Sequence, residues 1–171
     1  MGIGREQEVI RRVDLIPFSM ATITNPRELK EFVGREIGVS EWMLISQERV
    51  AQFAEATEDR QWIHLDAARA AAQSPYGATI AHGFLTLSLL SHFLKQVLTI
   101  EGGVRFAVNY GLNRVRFPSA VKVNSRIRAR VALSALTDSS ESLDATFSVT
   151  VESEGIAKPA CVAEWLVRYY A

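Results

Sequence analysis

The sequence predicts an α+β fold in which one long buried helix is enclosed by a curved antiparallel β-sheet. Residues 84–98 are apolar around most of a helical circumference, so such a helix has to be buried on nearly every face. Residues 105–169 are rich in β-formers, alternate in polarity and are interrupted by turn signals. No helical segment separates the later stretches, which favours antiparallel pairing. A length of 171 residues suits a single domain with one core.

Residues 1–25 are predicted to form an N-terminal extension, and residues 26–171 the single domain. The first segment has no clean periodicity and ends in the turn signal Asn25-Pro26. It has room for one short helix, and its function is not readable from its residues. Pro26 suits a first helical turn, so a short helix is expected up to Val33, before Gly34.

Two further helices are predicted from their caps. A strand is expected over residues 41–45, and Ser46 then suits the N-cap position of a helix whose apolar residues share one face. Asp66 is the expected N-cap of a second, alanine-rich helix over residues 67–72. The long apolar helix is expected to begin at Phe84, immediately after Gly83.

The remaining chain supplies the sheet that encloses the long helix, an arrangement known as the hot-dog architecture. A single hot-dog sheet leaves strand edges and part of the helix uncovered, so we expect a homodimer with a continuous sheet. The predicted strands cover residues 105–110, 113–117, 125–136, 142–152 and 160–169.

Composition excludes several classes of protein. Lys and Arg total 19 and Asp and Glu total 19, so no net positive field favours nucleic acid. Residues 84–100 carry polar side chains that a membrane-spanning helix would exclude, and no signal peptide is evident at the N-terminus. The lone Cys161 rules out an internal disulfide and suits a small core residue. A cytoplasmic protein without nucleic-acid or membrane partners is therefore expected.

Asp59 and His64 are the candidate catalytic residues. Five residues apart on a continuous helix, they would point roughly 140° away from each other. Their convergence therefore requires the helix from Ser46 to end near Thr57. A carboxylate and an imidazole that converge can hold one water, with the carboxylate removing a proton while the imidazole orients the water. The residues alone also allow Asp59 to cap the helix end or pair with a neighbouring arginine, with His64 filling a polar gap.

The stretch from Phe53 to Asp66, followed by Ile80-Ala81-His82-Gly83, resembles the motif of the MaoC-like and (R)-specific enoyl-CoA hydratases. The wording Gln-Trp-Ile-His-x-Asp and the closing Ala-Glu-Trp-Leu-Val-Arg-Tyr resemble the nodulation-protein-N-like subgroup. The chain departs from the family pattern at three positions, which bears on substrate preference: Glu58 replaces glycine, Gln61 replaces asparagine and Trp62 replaces proline. The resemblance implies hydration of a trans-2-enoyl-CoA to an (R)-3-hydroxyacyl-CoA, or the reverse reaction, with Asp59 and His64 as the catalytic pair.

Gly83 is the expected oxyanion contact. Its N–H lies at the start of the buried helix, where the helix dipole is positive and a thioester oxygen would be stabilised as it becomes an enolate. The glycine can equally serve a tight entry into the helix. His82 is expected to be structural, and Gln61 is a weaker candidate for a substrate contact.

Other candidates carry less of the function. The resemblance puts Ser91 near the catalytic pair, although back-bonding to the preceding turn also explains a helical serine. Arg114 and Arg116 share a strand face and can contact CoA phosphates or solvate the sheet. The histidines and nearby aspartates match no metal-ligand spacing, so no metal is expected. No cofactor is expected either, because CoA enters only as part of the acyl-CoA substrate.

Two other functions remain open. A hot-dog thioesterase commonly places a carboxylate on or beside the central helix, whereas residues 84–100 contain no Asp or Glu. A non-catalytic subunit of a heteromeric dehydratase would supply sheet and substrate tunnel without the catalytic pair. The presence of both Asp59 and His64 argues against that alternative.

Overall fold

A curved antiparallel sheet forms most of the computed structural model, which describes residues 20–170. Its main path runs β2-β6-β7-β8-β5, with the short β3 also paired to β6, while β1 and β4 form a separate parallel pair. The strands are β1 Ala21–Ile23, β2 Arg35–Val39, β3 Met43–Leu44, β4 Leu98–Ile100, β5 Phe106–Arg116, β6 Arg126–Asp138, β7 Ser142–Ser153 and β8 Ile156–Tyr170. The hot-dog prediction is confirmed.

The helices lie between β1 and β4 in the chain. A 3-10 helix covers the segment for which the sequence predicts a short helix. The bounds are Pro26–Phe32 for the 3-10 helix, then α1 Gln47–Thr57, α2 Trp62–Leu65, α3 Ala67–Gln73, α4 Gly83–Ser88 and α5 Leu90–Val97. The expected short helix within residues 1–25 falls largely on residues 1–19, outside the described part of the chain.

The central helix differs from the expected single helix over residues 84–98. It begins one residue earlier, at Gly83, and is divided at Leu89, where φ is −76° and ψ is −9°. The Ser88 hydroxyl donates to the Leu85 carbonyl at 2.8 Å and so competes with the regular helical ladder. Leu98 belongs to β4. Phe84 is 69% exposed in the single chain, so one sheet leaves part of the apolar helix uncovered, as the dimer argument expects.

The core lies between α5 and the concave face of the sheet. Phe93 on α5 and Phe147 on β7 are fully buried. Along β7, buried residues alternate with less buried ones through most of its length, which is the pattern of a strand with one face on a core. The sheet thus encloses the helix as the polarity pattern predicts.

The predicted strands need correction at several places. β2 was not predicted, and the strand expected over residues 41–45 is reduced to Met43–Leu44. The stretches 105–110 and 113–117 form the single strand β5, because bulges absorb the irregular residues between Asn109 and Arg114 while pairing with β8 continues. β1 lies inside the expected extension, where it pairs with β4.

β5 is the exposed edge of the main sheet. It follows β8 at one end of the strand order, and its residues 106–110 are all exposed. Large apolar side chains stand on it in the isolated chain: Phe106, Val108, Tyr110 and Leu112. An edge of this length and polarity favours pairing with another strand. Among the described residues, no helix combines the length and hydropathy needed to cross a membrane.

Candidate active site

A sharp turn after α1 brings the candidate catalytic residues together. The Ser46 hydroxyl accepts the Arg49 N–H at 3.2 Å and starts α1 as predicted. The helix ends at Thr57, and Glu58 adopts the left-handed conformation with φ 60°. The required end near Thr57 is therefore confirmed, and Asp59 lies in a turn rather than on a continuous helix.

His64 is held in the short helix α2 by its main chain. Its N–H donates to the Gln61 carbonyl at 3.0 Å. Its carbonyl accepts a 2.7 Å hydrogen bond from the Gln47 side-chain amide, whose oxygen in turn accepts the Thr79 hydroxyl at 2.6 Å. These contacts connect α2 to α1 and to the segment before α4, so the main chain from which the imidazole extends is held in place.

The His64 ring has one assignable tautomer. Nδ1 lies 2.7 Å from the Ile80 carbonyl oxygen, which can only accept, so Nδ1 carries the hydrogen. In the neutral ring, Nε2 then carries the lone pair and can accept a hydrogen bond. Burial lowers the pKa of His64 from its ordinary value of 6.5; the Ile80 hydrogen bond raises it, His82 lowers it further and Asp59 raises it. The neutral form that can accept a hydrogen bond from water is therefore favoured at neutral pH.

Three side chains meet at this point. A carboxylate oxygen of Asp59 and one ring nitrogen each of His64 and His82 lie within 4.8 Å of one another. Two acceptors that share one bent water at hydrogen-bonding distance lie about 4.5 Å apart, so the separation suits a bridging water. The three residues come from separate segments of the chain and follow no metal-ligand spacing. The sequence argument, which relied on spacing, therefore did not reveal this cluster. His92 and Asp66 lie elsewhere: His92 contacts Gln96, and Asp66 caps α3.

A cavity of about 190 Å³ opens beside His64. Gly83, at the start of α4, lies on its wall. The other lining residues are mostly small or apolar: Tyr76, Ile80, Ala81, Thr86, Phe117, Ser119, Ala120, Val121 and Ala160. The imidazole thus faces a small cavity whose walls present both polar and apolar surface.

Gly83 lies in close contact with Phe117, which gives it a packing role beside any catalytic one. It is absent from the glycines with positive φ, so it is not a left-handed hinge. A Cβ built on it would lie 3.0 Å from Cγ and Cδ2 of the Phe117 ring. His82, the N-cap of α4, provides no side-chain cap to the helix start. The first N–H groups of α4 are thereby left to an external acceptor or water.

The weaker sequence candidates lie apart from this cavity. The Ser91 hydroxyl contacts the Asn109 amide oxygen at 3.3 Å, in a groove between α5 and β5, and is not brought to the catalytic pair. Gln61 is exposed at the start of α2 and makes no side-chain cap there. Arg114 and Arg116 line a groove of about 420 Å³ near the end of β5 and do not line the His64 cavity.

Sequence reasoning missed the two aromatic walls of the cavity and the contact of His82 with the pair. Tyr76 and Phe117 come from a loop and a strand end that no local pattern connects to His64. His82 could have been found from its place next to Gly83, since an N-cap side chain of a buried helix lies close to whatever faces that helix start.

Comparisons with known proteins identify relatives of the chain. Residues 28–155 match the family model described as MaoC like domain. The chain is 52% identical over 153 residues to 3-hydroxyacyl-thioester dehydratase Z of Mycobacterium tuberculosis, covering 89% of this chain and all of that protein. It is 47% identical over 135 residues to Nodulation protein N of Rhizobium leguminosarum, covering 78% and 84%. The solved (R)-hydratase from A. caviae superposes with a TM-score of 0.64 at 28% identity, covering 79% of this chain and 94% of that one.

Proposed function

Because the chain belongs to the family of MaoC-like domain proteins, we propose that its His64 cavity binds a trans-2-enoyl thioester and adds water to give a 3-hydroxyacyl thioester, or catalyses the reverse dehydration. The protein is a hydro-lyase, in agreement with the names of its dehydratase and (R)-hydratase relatives. The single observation that carries the residue assignment is the cluster in which a ring nitrogen of His64 and a carboxylate oxygen of Asp59 lie within 4.8 Å of each other. The His64 tautomer supports it, because Nδ1 is bound to the Ile80 carbonyl and Nε2 is left to accept a hydrogen from water.

Asp59 and His64 activate the water together. The carboxylate accepts one hydrogen of the water and removes it as the oxygen attacks C3 of the enoyl group. Nε2 of His64 accepts the second hydrogen in a hydrogen bond and fixes the direction of attack. The proton held by Asp59 then returns to C2, so that water is added across the double bond and the enzyme regains its starting state.

The thioester oxygen gains negative charge during this step. An N–H at the first turn of α4, that of Gly83, is the proposed donor to the developing enolate oxygen. Support comes from the place of Gly83 on the wall of the cavity that His64 faces. The thioester itself acidifies C2, so the proposed reaction uses no metal or other cofactor.

The finer features of the substrate follow the family resemblance. We propose CoA as the thioester carrier and the (R) configuration at C3. Arg114 and Arg116 are exposed cations outside the cavity and remain candidates for the CoA phosphates. The cytoplasmic location expected from the lone cysteine stays a prediction.

The homodimer is proposed from the exposed edge strand. β5 ends the main sheet and carries exposed apolar residues on its length, and Phe84 at the start of the central helix is largely exposed in the isolated chain. A second copy paired through β5 would continue the sheet and cover both features.

The deciding experiment uses the purified protein with crotonyl-CoA and with a longer enoyl-CoA. Loss of enoyl absorbance without release of free thiol is expected, and chiral analysis of the product is expected to give the (R) isomer. Thiol release would identify a thioesterase, and absence of both signals would identify a non-catalytic subunit. A matched assay with EDTA is expected to leave the rate unchanged. A loss that Zn²⁺ restores would overturn the metal-free reaction.

A further inference from the structure

Given the proposed hydration, on which this inference rests, we propose that His82 is a positioning residue that holds the Asp59 main chain and the His64 ring in the geometry that their shared water requires. His82 is 2% exposed and lies at the start of α4, between the two catalytic elements. It touches both elements through different atoms of one ring.

The first contact fixes Asp59. Nε2 of His82 lies 2.9 Å from the main-chain carbonyl oxygen of Asp59, so this nitrogen donates the hydrogen. The Asp59 side chain itself is exposed on a turn whose first residue, Glu58, has a positive φ. Within the turn, Arg60 pairs with Glu55 and Glu58. The hydrogen bond from the buried ring adds a restraint at Asp59 itself, next to the reacting carboxylate.

The second contact fixes His64. The rings of His64 and His82 stack with centroids 3.7 Å apart and an interplanar angle of 27°. The Ile80 hydrogen bond holds one edge of the His64 ring, and a second contact against the face of the ring restrains its rotation further. His82 occupies that face, so it sets the plane in which Nε2 of His64 points to water.

A filler role alone does not explain a histidine at this position. Nδ1 of His82 is buried without a hydrogen-bond partner among the described residues. Burial of an unpartnered acceptor is unfavourable, and an apolar side chain would avoid it. An apolar side chain would also lack the donor to Asp59. We infer that the cost of the unpartnered Nδ1 is tolerated because Nε2 of the same ring holds the turn that carries Asp59.

Loss of this contact has a specific kinetic signature. His82 is not among the residues that line the cavity, so its loss is expected to affect the alignment of the water more than the binding of substrate. The loss is therefore expected in kcat rather than in KM. The titratable side chains around His64 are Asp59, His82 and Tyr76. Since burial and His82 both lower the pKa of His64, removal of the ring should raise that pKa and move the acid limb of kcat/KM to higher pH.

The test compares three variants of the full chain with crotonyl-CoA as substrate. His82→Ala removes the donor and the stacked ring. His82→Gln keeps an N–H donor at nearly the position of Nε2. Phe53→Leu is the matched control, because the Phe53 ring packs on His82 from 5.1 Å but contacts neither the Asp59 carbonyl nor His64 by a hydrogen bond. Thermal melting, kcat, KM and the pH profile are measured for each.

We expect His82→Ala to lower kcat by about 10- to 100-fold, the scale of a misplacement of about 1 Å, with KM changed by less than about threefold. His82→Gln should recover most of kcat, and Phe53→Leu should keep it even where its melting temperature falls as much as that of His82→Ala. Equal kcat for His82→Ala and wild type would overturn the positioning role. A His82→Gln variant with a kcat as low as that of His82→Ala would also overturn it. So would a loss of kcat in Phe53→Leu in proportion to its drop in melting temperature, because kcat would then follow stability alone. An inactive wild type would refute the proposed hydration instead.

Discussion

Replacement of His64 by asparagine separates its chemistry from its structural bond. The Asn side-chain amide can place an N–H near the position of Nδ1, so it can still donate to the Ile80 carbonyl, but it has no lone pair at the position of Nε2. His64→Ala removes both. The two variants therefore share the loss of the water contact and differ in the loss of a buried hydrogen bond.

The size of each effect follows from these contacts. His64→Ala leaves the buried Ile80 carbonyl without its donor, which costs about 1 to 3 kcal/mol. For a chain of this size that lowers the melting temperature by roughly 3 to 9 °C. His64→Asn should melt closer to the wild type. Both variants should lose about 10² or more in kcat/KM, the scale of a general acid–base contribution.

The assay is enoyl-CoA hydration measured on the same samples as thermal melting. A folded His64→Asn variant that keeps more than about a third of the wild-type kcat/KM, or under about 0.7 kcal/mol of lost transition-state stabilisation, would refute the role of Nε2. A His64→Ala variant with the melting temperature of the wild type would refute the stabilising role of the Nδ1 hydrogen bond, because the Ile80 carbonyl would then have another donor.

Four further predictions concern the same site and the sheet edge. Asp59→Asn should lower kcat/KM by about 10² with an unchanged melting temperature, since the side chain is exposed; wild-type turnover in this variant would remove Asp59 from the mechanism. Because burial holds the pKa of His64 below 6.5, kcat/KM should be flat above pH 6.5 and fall below it. The free energy of unfolding should fall over the same acid range, because the unfolded chain takes up the proton at a higher pH than the folded chain. A fall in kcat/KM that begins above pH 7 would contradict this. Light scattering should give about twice 19.0 kDa, and Val108→Lys on β5 should shift the mass to that of one chain; an active wild-type monomer at micromolar concentration would contradict the dimer. Gly83→Val should cost more activity than stability, because the Phe117 ring it meets is 40% exposed and can move; parallel loss of both would favour a packing role alone.

Local signals predicted the parts of the site that depend on nearest neighbours. Ser46 and Asp66 cap α1 and α3 through their side chains, as the residue types indicate. The end of α1 near Thr57 followed from a geometrical requirement, that five residues of continuous helix would separate Asp59 from His64. These inferences need only the helical period and the hydrogen-bonding capacity of short polar side chains.

Features that depend on distant partners were not predictable in the same way. The division of the central helix at Leu89 coincides with one serine hydroxyl that donates to the Leu85 carbonyl, a contact that the polarity pattern of the sequence does not reveal. β2 pairs with β6 across a bulge between Glu36 and Gly38, so its apolar alternation is too short to stand out in the sequence.

The tautomer of His64 depends on a segment that belongs to no helix or named strand. Residues 79–82 run extended between α3 and α4, and their main chain forms hydrogen bonds with two neighbouring segments. On one side, the Ile80 N–H donates to the Ile63 carbonyl. On the other, the Ala81 N–H donates to the Val121 carbonyl and the Thr79 carbonyl accepts the Val123 N–H.

The side-chain contacts of the same four residues then orient the catalytic groups. Thr79 binds the amide that holds the His64 carbonyl, the Ile80 carbonyl takes the Nδ1 hydrogen, and His82 donates to Asp59. Since Gly83 follows at once and begins α4, one short stretch positions the base, the imidazole and the proposed oxyanion donor. A shift of this segment by one residue would break all of these contacts together, so the register of the segment decides the arrangement of the whole site.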